Sequence, residues 1–294
     1  MTTTIAQPET HTLDVRGATL TYDVRRNDES ADPILLLIGS PMGASGFATL
    51  AGHFADRTVV TYDPRGVERS IKSDPESPVT PDIQADDVHR VIEAIGGGSV
   101  DLFGSSGGAV TALALVAKHP DDVRTLVAHE PPLASLLPDR EHALAACRAI
   151  HETYQGSGWG AGMAHFIAVV MHRGPFTADV VNQPPPDPAM FGMPAGDDGS
   201  RTDAMLGWGM LTIPSYEPDF DALRAASTRI VMAAGVESEG EMANRGAFAA
   251  AEQLGTTPAI FPSHHGGFLD ETSGQAGDPD AFAAKLREVL SAEG

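Results

Sequence analysis

Ser106 stands in Gly104-Ser105-Ser106-Gly107-Gly108, between an apolar run over residues 100–103 and a helix-forming stretch from residue 109 to about 119. A G-x-S-x-G pattern in that setting describes a sharp strand-to-helix turn that lifts a serine hydroxyl clear of its own backbone. Such a turn strains the serine. It also brings neighbouring backbones so close that side chains at positions 104 and 108 would clash. The helix that starts there aims free N–H groups at the hydroxyl, which suits a developing oxyanion. A serine hydroxyl is a weak nucleophile and needs a base, and histidine has the pKa for that task near neutrality. His264 and His265, just before Gly266, are the candidates. Adjacent residues point different ways, so only one of them can face Ser106. His53, His89 and His151 read as surface or packing residues.

The elements that must hold these groups can be read from periodicity. Residues 13–15 and 18–24 alternate around Gly17 and predict a β-hairpin; residues 1–10 read as a loose tail. The run Ile34-Leu35-Leu36-Leu37-Ile38 predicts a parallel strand buried on both faces, followed by a glycine-rich loop, Gly39 to Gly46. Next come a helix over 47–54, a strand over 58–62 and the loop Asp63-Pro64-Arg65-Gly66. A helix over 81–95 stops at Gly96-Gly97-Gly98. After the strand and helix around Ser106, a strand over 125–128 ends at His129-Glu130. This alternation predicts an α/β fold with a mostly parallel, doubly wound sheet. In such sheets ligands bind at the C-terminal strand ends, so the loops at 39–43 and 63–66, Ser106 and Glu130 should share one edge.

From residue 133 to about 220 the strand rhythm stops, and helical segments over 140–154 and 160–173 appear. Residues 131–221 are predicted to form a helical cap inserted into a core made of residues 1–130 and 222–294. The cap carries Met163, Met171, Met190, Met193, Met205, Met210, Trp159 and Trp208, which either line an apolar pocket or pack the cap on itself. Strands over 229–234 and 258–261 and helices over 241–254 and 278–290 complete the core. Asp278 is expected to cap the last helix, with Pro279 at its first position.

The 294 residues, 42% of them hydrophobic, suffice for one large α/β domain with an insertion. The formal net charge of −21 argues against nucleic acid and anionic membrane as partners. It also disfavours a strongly anionic substrate unless local arginines compensate. Cys147 is the single cysteine, so no intramolecular disulfide can form; its Ala-rich surroundings make it a buried helical residue. The first residues lack the basic and apolar regions of a secretory signal, and no apolar run is long enough to span a bilayer, so a cytoplasmic protein is expected. His129-Glu130 and His151-Glu152 begin like H-E-x-x-H, but Leu133 and Gln155 stand at the second histidine positions, so no metal site is predicted. No phosphate-binding loop or dinucleotide fingerprint occurs, and no cofactor is implied. The expected partner is a small-molecule substrate; nothing in the pattern specifies an oligomeric state.

With Gly104-Ser105-Ser106-Gly107-Gly108, Gly39-Ser40-Pro41-Met42-Gly43, Asp63-Pro64-Arg65-Gly66, the cap position and His265-Gly266, the chain resembles the α/β-hydrolase fold family over nearly its whole length, in particular capped serine esterases and lactonases. The resemblance implies Ser106 as nucleophile and His265, directly before a glycine, as base. The family's usual acid position falls on Ser238, which cannot serve; Glu237 is beside it. A second placement in the family, one strand after the nucleophile, falls on Glu130. Glu130 ends an apolar strand, where a carboxylate is costly without a partner, whereas Glu237 sits in a polar loop. That burial argument favours Glu130, with Glu237 as second choice. The oxyanion hole falls on the N–H groups of Ser40 and Gly107, since Pro41 has none. The family often has His-Gly where Ile38-Gly39 stands, and Glu68 replaces the second glycine of its arginine loop. Asp63 and Arg65 are read as supports of the site. The implied activity is a serine hydrolase that cleaves an ester, thioester or lactone of a small, moderately apolar molecule through an acyl-enzyme. A non-hydrolytic enzyme on the same scaffold (a cyclase, lyase or C–C bond hydrolase) is the alternative, motivated by the displaced acid and the altered oxyanion loop. A binding protein without turnover is a third reading.

Overall fold

The computed structural model describes residues 7–96, 98–273 and 276–292; Gly97 and the first six residues of the expected tail lie outside them. The strands are β1 (Glu9–Val15), β2 (Ala18–Arg25), β3 (Leu35–Ile38), β4 (Val59–Asp63), β5 (Ile71–Lys72), β6 (Val100–Ser105), β7 (Val123–His129), β8 (Arg229–Gly235) and β9 (Ala259–Phe261). They form a 9-stranded sheet in the order β1-β2-β4-β3-β6-β7-β8-β9, with β5 paired to β2. From β4 to β9 along this order the pairing is parallel, and β2 runs antiparallel to β1 and β4. The mostly parallel, doubly wound sheet expected from the alternation of elements is present.

Helices cover both faces: α1 (Ala48–Gly52), α2 (Pro81–Ala94), α3 (Gly107–Lys118), α4 (Arg140–Ser157), α5 (Trp159–Val170), α6 (Ala178–Val181), α7 (Met210–Thr212), α8 (Phe220–Ala225), α9 (Met242–Leu254) and α10 (Pro279–Ser291). Successive strand side chains point to opposite faces. Leu36 and Ile38 therefore join the core beneath α2 and α3, while Leu35 and Leu37 join the core beneath α1 and α10. A strand that feeds two cores has no polar face, which is why β3 reads as an unbroken apolar run. The Thr80 hydroxyl accepts from Ile83 N at the start of α2, and the Asp278 carboxylate from Ala281 N at the start of α10, each just before a proline.

Three local expectations differ from the structure. The tail is shorter than its polarity suggests: β1 begins at Glu9, whose pairing with Val24 extends the hairpin, and the Thr10 hydroxyl donates to Asp23 Oδ1 at 2.6 Å. The helix expected over 47–54 is a 3-10 turn, Ala44–Phe47, that runs into the short α1. The two-residue β5 carries too little pattern to be seen in sequence.

Between β7 and β8 the chain forms helices only, α4 to α8 with short 3-10 and π turns. They enclose a core of their own, built on Ala143, Cys147, Ile150, Tyr154, Phe176 and Leu206. Met163, Met205, Met210 and Trp159 pack against that core, and Met171 and Met190 are exposed. Met163, Met205 and Met210 thus fill gaps between short helices. This region is tied to the rest of the chain where Trp208 Nε1 donates to Glu76 O at 2.9 Å and Thr212 Oγ1 to Val79 O at 2.9 Å. No helix among the described residues is long and apolar enough to cross a membrane.

Candidate active site

The register of the central strands sets the site. Ser105 pairs with His129 across β6 and β7, so Ser106 and Glu130 leave the sheet side by side. Ser106 N donates to His129 O at 2.9 Å, and Glu130 N to Ala233 O at 2.9 Å. Ser106 turns the chain with φ 57 and ψ −125, and α3 starts at the next residue. Glu130 also has positive φ, as do Glu68 and Ser263. These four non-glycine residues follow the C-terminal ends of β7, β6, β4 and β9, all on one edge. Each such conformation costs about 1–3 kcal/mol and gathers where a function holds it in place. Glu68 takes positive φ where the resemblance expects a glycine, and its carboxylate is held by the Ser45 hydroxyl at 2.7 Å.

The glycines around Ser106 have a steric cause. A Cβ on Gly104 would lie 2.8 Å from Gly108 O, and one on Gly108 2.4 Å from Ile38 O. A Cβ on Gly107 would meet Ser40 O at 2.4 Å, so the start of α3 rests directly on the loop after β3. Among the described residues, neither the Ser40 N–H nor the Gly107 N–H donates to a backbone acceptor. The Ser40 hydroxyl accepts from Gln84 Nε2 at 2.9 Å. Gln84 Oε1 accepts from Thr111 Oγ1 at 2.9 Å, and that hydroxyl also donates to Gly107 O at 3.1 Å. Gln84 on α2 and Thr111 on α3 thus lock the two loops together. Sequence reasoning missed both; the available signal was a glutamine and a threonine on the buried faces of their helices.

His265 and Glu130 meet: His265 Nδ1 lies 2.7 Å from Glu130 Oε2. The other carboxylate oxygen accepts from Gly235 N at 2.8 Å, from Asn244 Nδ2 at 3.2 Å and from the Ser238 hydroxyl. Ser238 and Asn244 also bond Gly235 O, both at 3.1 Å, which fixes the donors themselves. Glu130 is fully buried. Burial pushes its carboxyl up. The hydrogen bonds from His265 and Ser238 and the field of the His129 and His265 rings outweigh that and hold it at about 2. Ser238, at the family's usual acid position, has become a donor to the acid on the neighbouring strand.

Glu237 is exposed and accepts from Ser263 Oγ at 3.5 Å, away from His265. His264 faces elsewhere: its Nε2 lies 3.1 Å from Ala276 O, and its Nδ1 accepts from Gly266 N. Ser106 and the His265 ring are both half-buried at this edge, and among the described residues no hydrogen bond joins them. A long serine–histidine separation is ordinary before substrate binds. Behind the pair sits His129, fully buried among Phe103, Phe261, Phe268 and Phe282, its ring centroid 6.0 Å from that of His265. Its Nδ1 lies 3.3 Å from Ser105 Oγ, and Nε2 has no partner among the described residues. Burial pushes the His129 ring down to about 4, so it is neutral at pH 7.

Asp63 supports the loop after β3, accepting from Ala44 N at 2.8 Å and from Arg69 Nε at 2.6 Å. Arg65 forks onto Asp87 of α2 at 2.7 and 2.6 Å and walls a cavity of about 220 Å³. Ser40, Pro41, Ile213 and Trp208 also line this cavity; Ser106, His265 and the methionines do not. The cavity therefore abuts the loop after β3 from the side of the inserted helices. One group outside this edge has metal-ligand chemistry: His89, His119 and Asp122, with ligand atoms within 4.8 Å of one another. The two rings stack with centroids 3.8 Å apart and planes 4° from parallel. Their in-plane lone pairs do not converge, and His89 Nδ1 is already bonded to Asp122 at 2.7 Å.

Known proteins can be set beside this arrangement. The family model for the alpha/beta hydrolase fold matches residues 32–154. The uncharacterized hydrolase YraK of Bacillus subtilis (strain 168) is 31% identical over 263 residues, which cover 87% of this chain and 89% of YraK. Among solved structures, a thermophilic esterase from Thermogutta terrifontis superposes with a TM-score of 0.65 at 18% identity, over 97% of this chain and 98% of its own. The enol-lactonase from Burkholderia xenovorans LB400 gives 0.64 at 19% identity, over 96% and 100%. The sheet order, the sharp turn at Ser106 and a relative matched over most of both chains lead to one assignment: this chain belongs to the α/β hydrolase fold family.

Proposed function

We propose that the protein is a serine hydrolase of a small, moderately apolar ester, thioester or lactone. The observation that carries this reading is the 2.7 Å hydrogen bond between His265 Nδ1 and the buried Glu130, on the edge where Ser106 emerges from its turn. With Nδ1–H held by Glu130, His265 presents Nε2 as the free base. Ser106 attacks the carbonyl carbon while His265 takes its proton, and Glu130 stabilises the imidazolium that forms. The N–H groups of Ser40 and Gly107 donate to the oxyanion. His265 returns the proton to the leaving group, and a water activated by the same ring then releases the acyl group from Ser106. The helices over residues 131–221 act as a cap on a core of residues 1–130 and 222–294, and their side of the site bounds the substrate. The names of similar proteins, a hydrolase, an esterase and an enol-lactonase, fit this class.

The test is hydrolysis of p-nitrophenyl acetate and a small aliphatic lactone by the wild type and by Ser106→Ala. Turnover by the wild type and its loss in the variant are expected. Equal turnover by both would overturn the proposal.

A further inference from the structure

A second cavity, of about 610 Å³, opens at the opposite end of the sheet, where β7 and β8 begin. Four arginines line it: Arg57, Arg124, Arg229 and Arg287. The chain has only 19 Lys and Arg against 40 Asp and Glu, so four cations in one cavity run against the charge of the whole molecule. They come from four separate segments: the turn before β4, the first turn of β7, the start of β8, and α10.

Their partners do not use them up. Asp101 accepts from Arg57 Nη2 at 2.7 Å and from Arg124 Nε and Nη2 at 2.8 and 2.6 Å. Asp56 holds Arg287 at 2.6 and 3.0 Å. Asp32 is the one carboxylate in the lining itself. Arg229 forms no ion pair among the described residues; its Nη2 donates to Val289 O at 2.5 Å, and its Nε and Nη1 are unengaged. Arg124 Nη1 is likewise unengaged. Burial holds the Arg229 guanidinium below its ordinary range; Asp101 opposes this and Arg124 reinforces it. An added anion would relieve both burial and repulsion.

We propose that this cavity is a binding site for a phosphate group, free or carried by a small organic molecule. The geometry favours phosphate over carboxylate. The forks of Arg124 and Arg287 are taken by Asp101 and Asp56, and the donors that remain, Nε and Nη1 of Arg229 and Nη1 of Arg124, come from different side chains. A flat carboxylate is matched by one fork, whereas a tetrahedral oxyanion accepts from several directions. The volume exceeds that of a bare phosphate. Phe54, under the Arg287 guanidinium at 4.7 Å, and Leu290 offer apolar wall to an organic body. The site lies at the far end of the strands that carry Ser106 and Glu130, so its occupancy and ester turnover can be read separately.

The test is thermal unfolding and calorimetric titration of the full chain with inorganic phosphate and with glucose 6-phosphate, at ionic strength fixed with sodium chloride and with acetate as control. Saturable binding of at least one phosphate species is expected. At a hundred times its Kd it should raise Tm by about 5 °C, with no saturable effect of chloride or acetate. Arg229→Gln should weaken binding at least about tenfold, the loss of one charge-assisted bond, and keep ester turnover. Arg287→Gln supplies a second variant if the first does not fold. Ser106→Ala should bind as the wild type does. Tighter binding of glucose 6-phosphate assigns a phosphate ester, and tighter binding of inorganic phosphate assigns the free anion. No saturable binding of either, or the same Kd in folded Arg229→Gln and Arg287→Gln as in the wild type, would overturn the proposal.

Discussion

Glu130 and Asp101 are both fully buried carboxylates of one sheet, at opposite ends, and they are held in different ways. Asp101, at the start of β6, sits between the guanidinium groups of Arg57 and Arg124. Glu130, at the end of β7, is held by a backbone N–H, a hydroxyl, an amide and one imidazole. Two permanent cations cancel a carboxylate's field; neutral donors solvate it and leave the field in place. The first arrangement staples strands together. The second keeps a negative charge beside His265 that is ready to stabilise a proton on that ring. Burial alone therefore does not distinguish the two carboxylates; the charge of their partners does.

The largest effect should come from exchanging each acid for its amide. Glu130→Gln removes the charge and lets an amide donor face His265 Nδ1, which favours the wrong tautomer. Its kcat on p-nitrophenyl acetate should fall about a thousandfold or more, and losing a charge that the fold holds at about 2 should also cost about 3 kcal/mol of stability. Asp101→Asn should leave kcat intact and cost about 3–5 kcal/mol of stability in urea unfolding, because the buried Arg57 guanidinium loses its counter-charge. Equal kinetic losses in the two variants would break the comparison.

His129 sharpens it through pH. Its ring is pushed from 6.5 in the open chain to about 4 in the fold, chiefly by burial. The unfolded chain thus binds a proton the folded one refuses. This stabilisation is complete above pH 6.5 and lost as pH falls towards 4, about 3 kcal/mol over that window. His129→Phe, which suits the surrounding phenylalanines, should flatten the fall in stability between pH 6.5 and 4 seen in wild-type urea melts. An unchanged slope would show that the ring is solvated. A smaller effect is expected from Ser238→Ala, which leaves Glu130 in place with one donor fewer. A hydrogen bond to a charged group contributes about 1.5–3 kcal/mol, so kcat should drop about tenfold or somewhat more while KM stays put.

Much of this edge was legible in the sequence for physical reasons. Gly104, Ser106 and Gly108 read as a turn because backbone crowding excludes side chains there. Glu130 read as the acid because an apolar strand that ends in a carboxylate must supply it with a partner. His265 was separated from His264 only through the family resemblance. What the sequence hid acts across long chain separations: Gln84 and Thr111 clamping the loop after β3, Ser238 and Asn244 turned towards Glu130, Asp101 between two arginines. None of these has a local spacing that betrays it. The methionines left two readings open, since a thioether reads the same whether it lines a pocket or fills a seam between helices.

The central claim, that Ser106 is the nucleophile and that Glu130 acts through His265, is tested most directly by labelling with a fluorophosphonate, read by intact mass and peptide mapping. The account predicts one adduct, on Ser106, formed far more slowly in Glu130→Gln and absent from Ser106→Ala. An adduct on another serine, or no adduct in a wild-type protein that still hydrolyses esters, would contradict it.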